Sequence, residues 1–288
     1  MSKKIISICL CVVLAISGFA VACIYSTRAK GASSEPPVYL ALGDSISYGY
    51  TVDGGQRTDT CFVRLLAENK GLNAINESIS GNEAPGVIEQ LNSGDLDDVI
   101  KKASIVTLTI GGNDMMEVLY QKTADAYGGG ATANDIREKL SDDPGSDFKL
   151  LMALGSALLN VDQSTEFKTA LSNFITNLNT ITTYIKGKNP DAKIYVATQY
   201  DPYEHFSSAL YSTFTQYIGK CLATMRDEVV NNATTGQYTA VDVYTAFKGN
   251  TATYCYAAES PSLQFDFHPN EAGHAAIAQC FIDAVTVD

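Results

Sequence analysis

The sequence VYLALGDS, from Val38 to Ser45, decides the fold of this chain. Its first five residues are apolar and predict a short buried strand, which ends at Gly43. Four further strands are predicted, at Leu72–Ile79, Ser104–Ile110, Lys193–Thr198 and Tyr238–Val243. Because helical patterns separate these strands, we expect a parallel sheet that is covered by helices on both faces.

Three helices are predicted from apolar residues that recur at three- and four-residue spacing. They are a helix through Phe62–Leu66 that stops near Gly71, a long helix through Phe167–Ile185 that ends at Asn189-Pro190, and a helix around Leu210–Val230. Between Met115 and Glu166 the pattern loosens, with breaks at residues 127–130 (YGGG) and 141–145 (SDDPG). We therefore expect an insertion at about residues 115–165 that is partly helical around Leu150–Leu159.

The first 31 residues differ from the rest of the chain. Two lysines precede an uncharged run from Ile5 to Tyr25, which predicts an export signal or a membrane anchor. Small residues favour cleavage before Ala32, while Ala20–Cys23 loosely resembles a lipoprotein signal. We favour cleavage and secretion, with a retained membrane tether as the second choice. Residues 32–288 are then a single domain, which works outside the cytoplasm.

The charge of the chain is strongly acidic. The formal net charge is −12, and removal of residues 1–31, which hold four basic residues and no acidic one, changes it to −16. Because such a surface repels phosphate backbones and anionic headgroups, no nucleic-acid partner is expected.

Seven cysteines are present, and three of them lie in the predicted export segment. The other four are Cys61, Cys221, Cys255 and Cys280. An even number of cysteines in an exported domain allows up to two disulfides, and buried free thiols are the alternative.

The predicted site lies where the first three strands end. Ser45, Gly81 and Asn113 each follow one of these strands. Ligands of open α/β sheets bind beyond the carboxyl ends of the strands, so three separate segments are expected to meet in one crevice. Asp44 is expected to cap the turn after the first strand.

A serine hydroxyl needs a neighbouring base before it can attack a carbonyl group. The chain contains three histidines, His205, His268 and His274. His268 lies before Pro269, near the start of the last helix, where it can face the crevice. His274 is predicted to lie inside that helix and to be packed or exposed, and His205 is the reserve candidate.

Four blocks of this sequence together resemble the SGNH, or GDSL-type, hydrolases, a family of esterases and lipases. The blocks are Gly43-Asp44-Ser45, Ser80-Gly81-Asn82, Gly111-Gly112-Asn113-Asp114 and His268-Pro269-Asn270. The resemblance extends from Val38 to Ala284. It implies a flavodoxin-like three-layer α/β/α sandwich with five parallel strands, and no metal or organic cofactor.

The resemblance also implies the roles of the site residues. Ser45 would be the nucleophile and His268 the base. The backbone N–H groups of Ser45 and Gly81 would form the oxyanion hole with the Asn113 amide. The family usually places the third catalytic residue three positions before the histidine, where this chain has Phe265. Either Asp266 orients the ring, or the Phe265 carbonyl does so and leaves a Ser–His dyad.

These observations predict an exported serine esterase or lipase that cleaves carboxylic esters through an acyl-enzyme. Its substrate would be a small-molecule or polymer-borne ester, with a short acyl chain or a lysophospholipid-like structure. Two alternatives use the same fold. One is a carbohydrate O-acetyl esterase, and the other is a surface protein that binds glycan or lipid without catalysis.

Overall fold

A five-stranded parallel sheet lies at the centre of the computed structural model of this chain. The strands are β1 (Val38–Gly43), β2 (Asn73–Asn76), β3 (Ala103–Thr109), β4 (Lys193–Ala197) and β5 (Thr239–Val241). Their spatial order is β2-β1-β3-β4-β5, and all neighbouring strands run parallel. The predicted parallel sheet is therefore confirmed.

The structure describes residues 35–142, 147–208, 211–259 and 264–287. Its helices are α1 (Ser45–Tyr48), α2 (Phe62–Lys70), α3 (Ala84–Asn92), α4 (Asp97–Ile100), α5 (Gly112–Tyr127), α6 (Ala133–Asp142), α7 (Phe148–Leu158), α8 (Thr165–Lys188), α9 (Ser212–Asn232), α10 (Val243–Phe247), α11 (Thr251–Tyr254) and α12 (Glu271–Ala284). Within these ranges, none of the helices is both long enough and apolar enough to cross a bilayer. The predicted export segment, residues 1–31, lies outside the described residues.

Helices cover the sheet on both faces because successive side chains of a strand point to opposite sides. In β1, Leu40 and Leu42 pack in a core with side chains of α3, α8 and α9. Tyr39 and Ala41 pack in a second core with side chains of α2 and α12. Both cores are apolar, as expected for a parallel sheet buried on its two faces. This arrangement is the three-layer α/β/α sandwich that the sequence predicts.

Two strands are shorter than predicted. β2 ends at Asn76. The chain still stays beside β1 after that point, because the N–H of Glu77 donates to the Ala41 carbonyl at 2.9 Å. β5 ends at Val241, since the Asp242 side chain accepts the N–H of Thr245 and caps α10. Helix capping therefore ends β5 earlier than the run of apolar residues indicates.

The region predicted as a partly helical insertion, at about residues 115–165, is mainly helical. The loosening of the apolar pattern after Met115 does not end a helix, because α5 continues without a break to Tyr127. Helices α5, α6 and α7 share a small core made of Tyr120, Ala124, Ala133, Ile136 and Leu150. Each helix supplies only one or two of these side chains to this core. The expected helix around Leu150–Leu159 is observed as α7.

The four cysteines of the domain are free thiols. Cys221 packs in the core on one face of the sheet, whereas Cys61 and Cys255 pack in the core on the other face. The sheet therefore separates Cys221 from these two residues. Burial raises the pKa of the Cys61 thiol to about 11 and that of Cys221 to about 12, so both thiols stay protonated and unreactive at neutral pH.

Candidate active site

The site is built around a tight turn between β1 and α1. Gly43 has a φ of 128°, and a Cβ at this position would lie 2.0 Å from the Thr109 carbonyl oxygen. Only glycine therefore allows β1 and β3 to approach so closely here. Asp44 caps α1, because its Oδ1 accepts the N–H of Ile46 at 3.0 Å and the hydroxyl of Thr109 at 2.8 Å. Ser45, the next residue, begins α1.

Asp44 is buried beneath this turn. Burial raises the pKa of its carboxyl to about 6, and the hydrogen bonds from Thr109 and Ile46 oppose that rise. The expected capping role of Asp44 is observed. Its contacts tie the start of α1 to the end of β3, and so fix the backbone that carries Ser45.

The side chains of Ser45, His268 and Asp266 form one chain of hydrogen bonds. His268 Nε2 lies 2.8 Å from Ser45 Oγ, and His268 Nδ1 lies 2.6 Å from Asp266 Oδ1. An ionised carboxylate can only accept a hydrogen bond, so the Nδ1–H donates to Asp266 and Nε2 is left to accept from the serine. The Tyr50 ring lies 4.3 Å from the imidazole, centroid to centroid. This arrangement can remove the Ser45 proton during an attack on a carbonyl carbon.

The loop before α12 is held by two tyrosines that follow β4. The Tyr203 hydroxyl donates to the Phe265 carbonyl at 2.8 Å, and the Tyr200 hydroxyl donates to the Phe267 carbonyl at the same distance. The Phe265 carbonyl is therefore engaged by Tyr203, and the acceptor at the histidine ring is Asp266. Of the two acceptors that the sequence left open, the Asp266 carboxylate is the one that lies at the His268 ring.

Two neighbouring residues at the start of α5 hold the loop that contains Gly81. Asn113 Nδ2 donates to the Asn82 carbonyl at 2.8 Å. Asp114 accepts the N–H of Ala84 with both carboxylate oxygens, at 3.1 and 3.2 Å. Gly81 itself has a φ of 80°, a backbone conformation that glycine adopts without strain. The second hydrogen of the Asn113 amide is left for a ligand.

The start of α1 supplies a further donor. Ser45 is the first residue of that helix, where backbone N–H groups have no partner within the helix. An oxyanion beside Ser45 could therefore receive hydrogen bonds from this N–H and from the Asn113 amide, since both residues line the same groove.

Comparison with known proteins identifies the family of this chain. The sequence matches the GDSL-like lipase/acylhydrolase family over residues 41–276. The chain belongs to this family. Membership confirms the resemblance that the four sequence blocks suggest, and it indicates an ester hydrolase.

Solved structures with a similar fold include two proteins from Streptomyces. Phospholipase A1 from Streptomyces albidoflavus NA297 has a TM-score of 0.59 and 19% identity, with 88% of this chain and 100% of that chain covered. An extracellular lipase from Streptomyces rimosus has a TM-score of 0.57 and 18% identity, over 86% of this chain and 99% of that one. At these low sequence identities, the structural similarity supports only the fold of this family member.

A sequence relative is the uncharacterized protein YpmR of Bacillus subtilis (strain 168). It is 33% identical over 94 residues, which are 31% of this chain and 36% of YpmR. The match thus spans about a third of the length of that relative.

The other two histidines of this GDSL-family chain have different surroundings. His205 Nδ1 lies 3.1 Å from Thr251 Oγ1, so the reserve candidate bonds away from the site. His274 is fully buried in α12, and its Nδ1 accepts the N–H of Phe62 at 3.4 Å. Burial lowers the pKa of His274 to about 3, with a smaller contribution from the charge of Arg57. His274 is therefore neutral and packed, and packed is one of the two environments, packed or exposed, that the sequence predicts for it.

A narrow apolar groove leads away from Ser45 and Asn113. It encloses about 70 Å³, and its wall comes from α5, from α8 and from α9. The apolar wall residues include Met115, Leu119, Val161, Phe167, Ile218 and Leu222. Its shape and lining suit an alkyl chain.

Several residues of the site were not identified from the sequence. They are Tyr50, Asp114, Tyr200, Tyr203 and the groove side chains of α5 and α9. One sequence signal was available for Tyr200 and Tyr203, because both follow the end of β4 and thus lie at the edge of the sheet where Ser45 and Asn113 lie. In the described ranges, no group of three or more His, Cys, Asp or Glu side chains could hold a metal ion.

Proposed function

We propose that this chain is an exported serine esterase, which hydrolyses carboxylic esters of alkyl acids through an acyl-enzyme on Ser45. The hydrogen-bonded chain from Ser45 through His268 to Asp266 carries the proposal. The nucleophile, the base and the carboxylate are already within hydrogen-bond distance, so no rearrangement is needed before attack.

In the first half of the reaction, Ser45 Oγ attacks the ester carbonyl carbon, and its proton moves to His268 Nε2. The carbonyl oxygen becomes an oxyanion, held by the N–H groups of Ser45 and Gly81 and by the Asn113 amide. One such donor typically contributes about 10²- to 10³-fold in rate. The bond to the alcohol oxygen then breaks, and His268 returns the proton to the departing alcohol.

In the second half, water attacks the acyl group on Ser45 and gives a proton to His268. The carbon–oxygen bond to Ser45 breaks, Ser45 regains its proton from His268, and the acid leaves. Asp266 keeps the ring oriented and stabilises its positive form in both halves.

The apolar groove supports an acyl chain longer than acetyl. The wall of the groove is apolar and offers few partners for a sugar, so a carbohydrate O-acetyl esterase fits this lining less well. A surface protein that binds glycan or lipid without catalysis would have no need of the Ser45–His268 hydrogen bond. Export is supported by the uncharged run Ile5–Tyr25 behind two lysines.

A chain-length series tests the proposed substrate. We expect p-nitrophenyl butyrate and octanoate to be cleaved at least about tenfold faster, in kcat/KM, than the acetate, because each buried methylene group contributes about 0.8 kcal/mol. Acetylated xylan is assayed beside them. Preference for the acetate and for xylan would instead identify an O-acetyl esterase.

A variant locates the acyl chain in the groove. Leu222→Trp fills the groove from α9, and we expect it to reduce octanoate cleavage at least about tenfold while the acetate is cleaved as before. Thr224→Trp is the matched control, since Thr224 lies on the same helix and faces solvent. An unchanged octanoate-to-acetate ratio in Leu222→Trp would place the acyl chain elsewhere.

A further inference from the structure

A second cavity adjoins the first at the site. It measures about 550 Å³ and is lined by His268 and Asp266, whereas the groove is lined by Ser45 and Asn113. The two cavities share one wall, made of Met116, Leu119, Tyr203 and Phe267. The two cavities therefore adjoin at the site, one beside Ser45 and the other beside His268.

The chemistry of ester cleavage assigns a different part of the substrate to each space. The acyl carbonyl must lie at Ser45 and at the oxyanion donors, which places the acyl part on the side of the groove. The protonated His268 must give its proton to the departing alcohol oxygen, which places the alcohol on the side of His268. The second cavity is the one that opens onto His268.

The charges in the second cavity disfavour a phosphate group. Asp142 and Asp266 are carboxylates in its wall. Among the residues that the structure describes, the cation in this wall is Arg137. Its guanidinium already donates to Glu117 at 2.8 Å and to Asn134 at 3.1 Å. A phosphate would meet two like charges there and would compete with Glu117 for the guanidinium.

The remaining lining combines uncharged polar groups with apolar side chains. Hydroxyl and amide groups are offered by Tyr50, Ser141 and Gln264 among others, and apolar surface by Val52, Leu140, Leu154, Phe214 and Phe265. Such a lining suits a molecule with several hydroxyl groups and an apolar face. The volume of the cavity lies within the usual range for small-molecule sites, about 300–1,000 Å³, and far exceeds the volume of a methanol molecule.

We propose that this cavity binds the alcohol part of the ester, and that this alcohol is a bulky, uncharged polyol such as glycerol or a hexose. The inference rests on the proposed function, and it selects neutral polyol esters over phosphate-bearing ones as substrates.

Four octanoyl esters test the proposal in the wild-type protein. They are methyl octanoate, octanoylglycerol, octanoylglucose and octanoyl glycerophosphate. We expect at least one polyol ester to exceed methyl octanoate at least about tenfold in kcat/KM, and the phosphate ester to fall below it. Equal rates for the methyl and polyol esters, or a preference for the phosphate ester, would overturn the inference. Failure to cleave any ester would instead overturn the proposed function.

Charge substitutions at the rim locate the alcohol. Val52 is 47% exposed and lines the cavity, so it tolerates replacement without loss of the fold. We expect Val52→Lys to raise kcat/KM for octanoyl glycerophosphate at least about fivefold and Val52→Glu to lower it, with methyl octanoate unchanged in both. The absence of any change for the phosphate ester would show that the alcohol lies elsewhere.

A bulky substitution provides an independent test. Leu140→Trp narrows the cavity, and we expect it to reduce cleavage of the polyol esters at least about fivefold while methyl octanoate is cleaved as in the wild type. Leu159→Trp is the control, because Leu159 is exposed and lies outside the cavity. An equal loss for methyl and polyol esters in Leu140→Trp would contradict the assignment.

Discussion

His268 Nδ1 lies 2.6 Å from Asp266 Oδ1, and the two residues are separated by one position in the sequence. The same carboxylate oxygen also accepts the backbone N–H of His268 at 2.9 Å. Because ring and backbone share one acceptor, Asp266 fixes the imidazole relative to the loop that carries it. The short separation is therefore compatible with the orientation that the family usually obtains from a residue three positions away.

The replacement Asp266→Asn tests this contact. We expect kcat to fall by about 10²- to 10⁴-fold, because an amide can donate to Nδ1 and stabilise the wrong tautomer of the ring. KM for methyl octanoate should change little, since Asp266 is not expected to contact the acyl part and methanol is a small alcohol. Asp98→Asn, at an exposed residue of α4, is the control. A loss of less than about tenfold would show that another group orients His268.

Tyr203→Phe tests the support of the loop. The Tyr203 hydroxyl is the buried donor to the Phe265 carbonyl, so its removal leaves that carbonyl without this partner. We expect the free energy of unfolding to fall by about 1–3 kcal/mol in urea titrations. Tyr217→Phe is the control, because the Tyr217 hydroxyl makes a long, exposed contact. Equal stability of Tyr203→Phe and wild type would mean that this hydrogen bond contributes nothing.

Asp114→Asn tests the support of the oxyanion site. Asp114 grips the N–H of Ala84 with both oxygens, and burial raises the pKa of its carboxyl to about 6. An amide retains only one acceptor oxygen, so the loop with Gly81 should shift away from Asn113. We expect kcat to fall about 10- to 100-fold with little change in KM.

Two ligands separate this positioning role from a general loss of structure. A trifluoromethyl ketone forms a tetrahedral adduct that needs the oxyanion donors, whereas the product acid does not. Asp114→Asn should weaken the ketone and leave binding of the acid unchanged, while Asp125→Asn, at an exposed residue of α5, should affect neither. Equal weakening of both ligands would contradict the positioning role.

The stability of the protein should depend on the pH through His274. Its pKa is lowered to about 3 in the folded protein, while an ordinary histidine has a pKa of about 6.5. Between these values the unfolded chain binds the extra proton, so His274 lowers the stability as the pH falls below about 6.5. From pH 7 to pH 5 this loss amounts to about 2 kcal/mol.

The variant His274→Asn isolates this contribution in urea titrations. Asparagine can still accept the N–H of Phe62 but does not titrate, and the buried aspartates are common to both proteins. The difference in unfolding free energy between wild type and variant should shift by about 2 kcal/mol between pH 7 and pH 5, in favour of the variant at pH 5. A constant difference would show that His274 takes up its proton equally in both states.

The five strands and their parallel arrangement follow from local patterns in the sequence. Short runs of apolar residues that end at a glycine, such as Val38–Gly43, indicate buried strands. The packing of α5, α6 and α7 against one another was harder to predict, because their shared core takes one or two side chains from each helix. Such a core depends on packing between elements, which periodicity within one element does not report.

The residues of the site likewise differ in how far the sequence predicts them. Ser45 and Asn113 lie at strand ends, where the rule for ligand sites in parallel sheets applies directly. The contact of Asp266 with His268 depends on the path of one loop, and Tyr200 and Tyr203 fix that path from a distant segment. Sequence spacing alone leaves that path open.

Covalent labelling of Ser45 tests the proposed nucleophile most directly. We expect an organophosphate such as paraoxon to add one dialkylphosphoryl group to the wild-type protein, with peptide mass spectrometry locating it on Ser45 and esterase activity lost in proportion. Ser45→Ala should take up no label, whereas Ser47→Ala, which alters the neighbouring buried hydroxyl, should still be labelled at Ser45. An active wild-type protein that takes up no label, or is labelled on another residue, would contradict the proposal that Ser45 is the nucleophile.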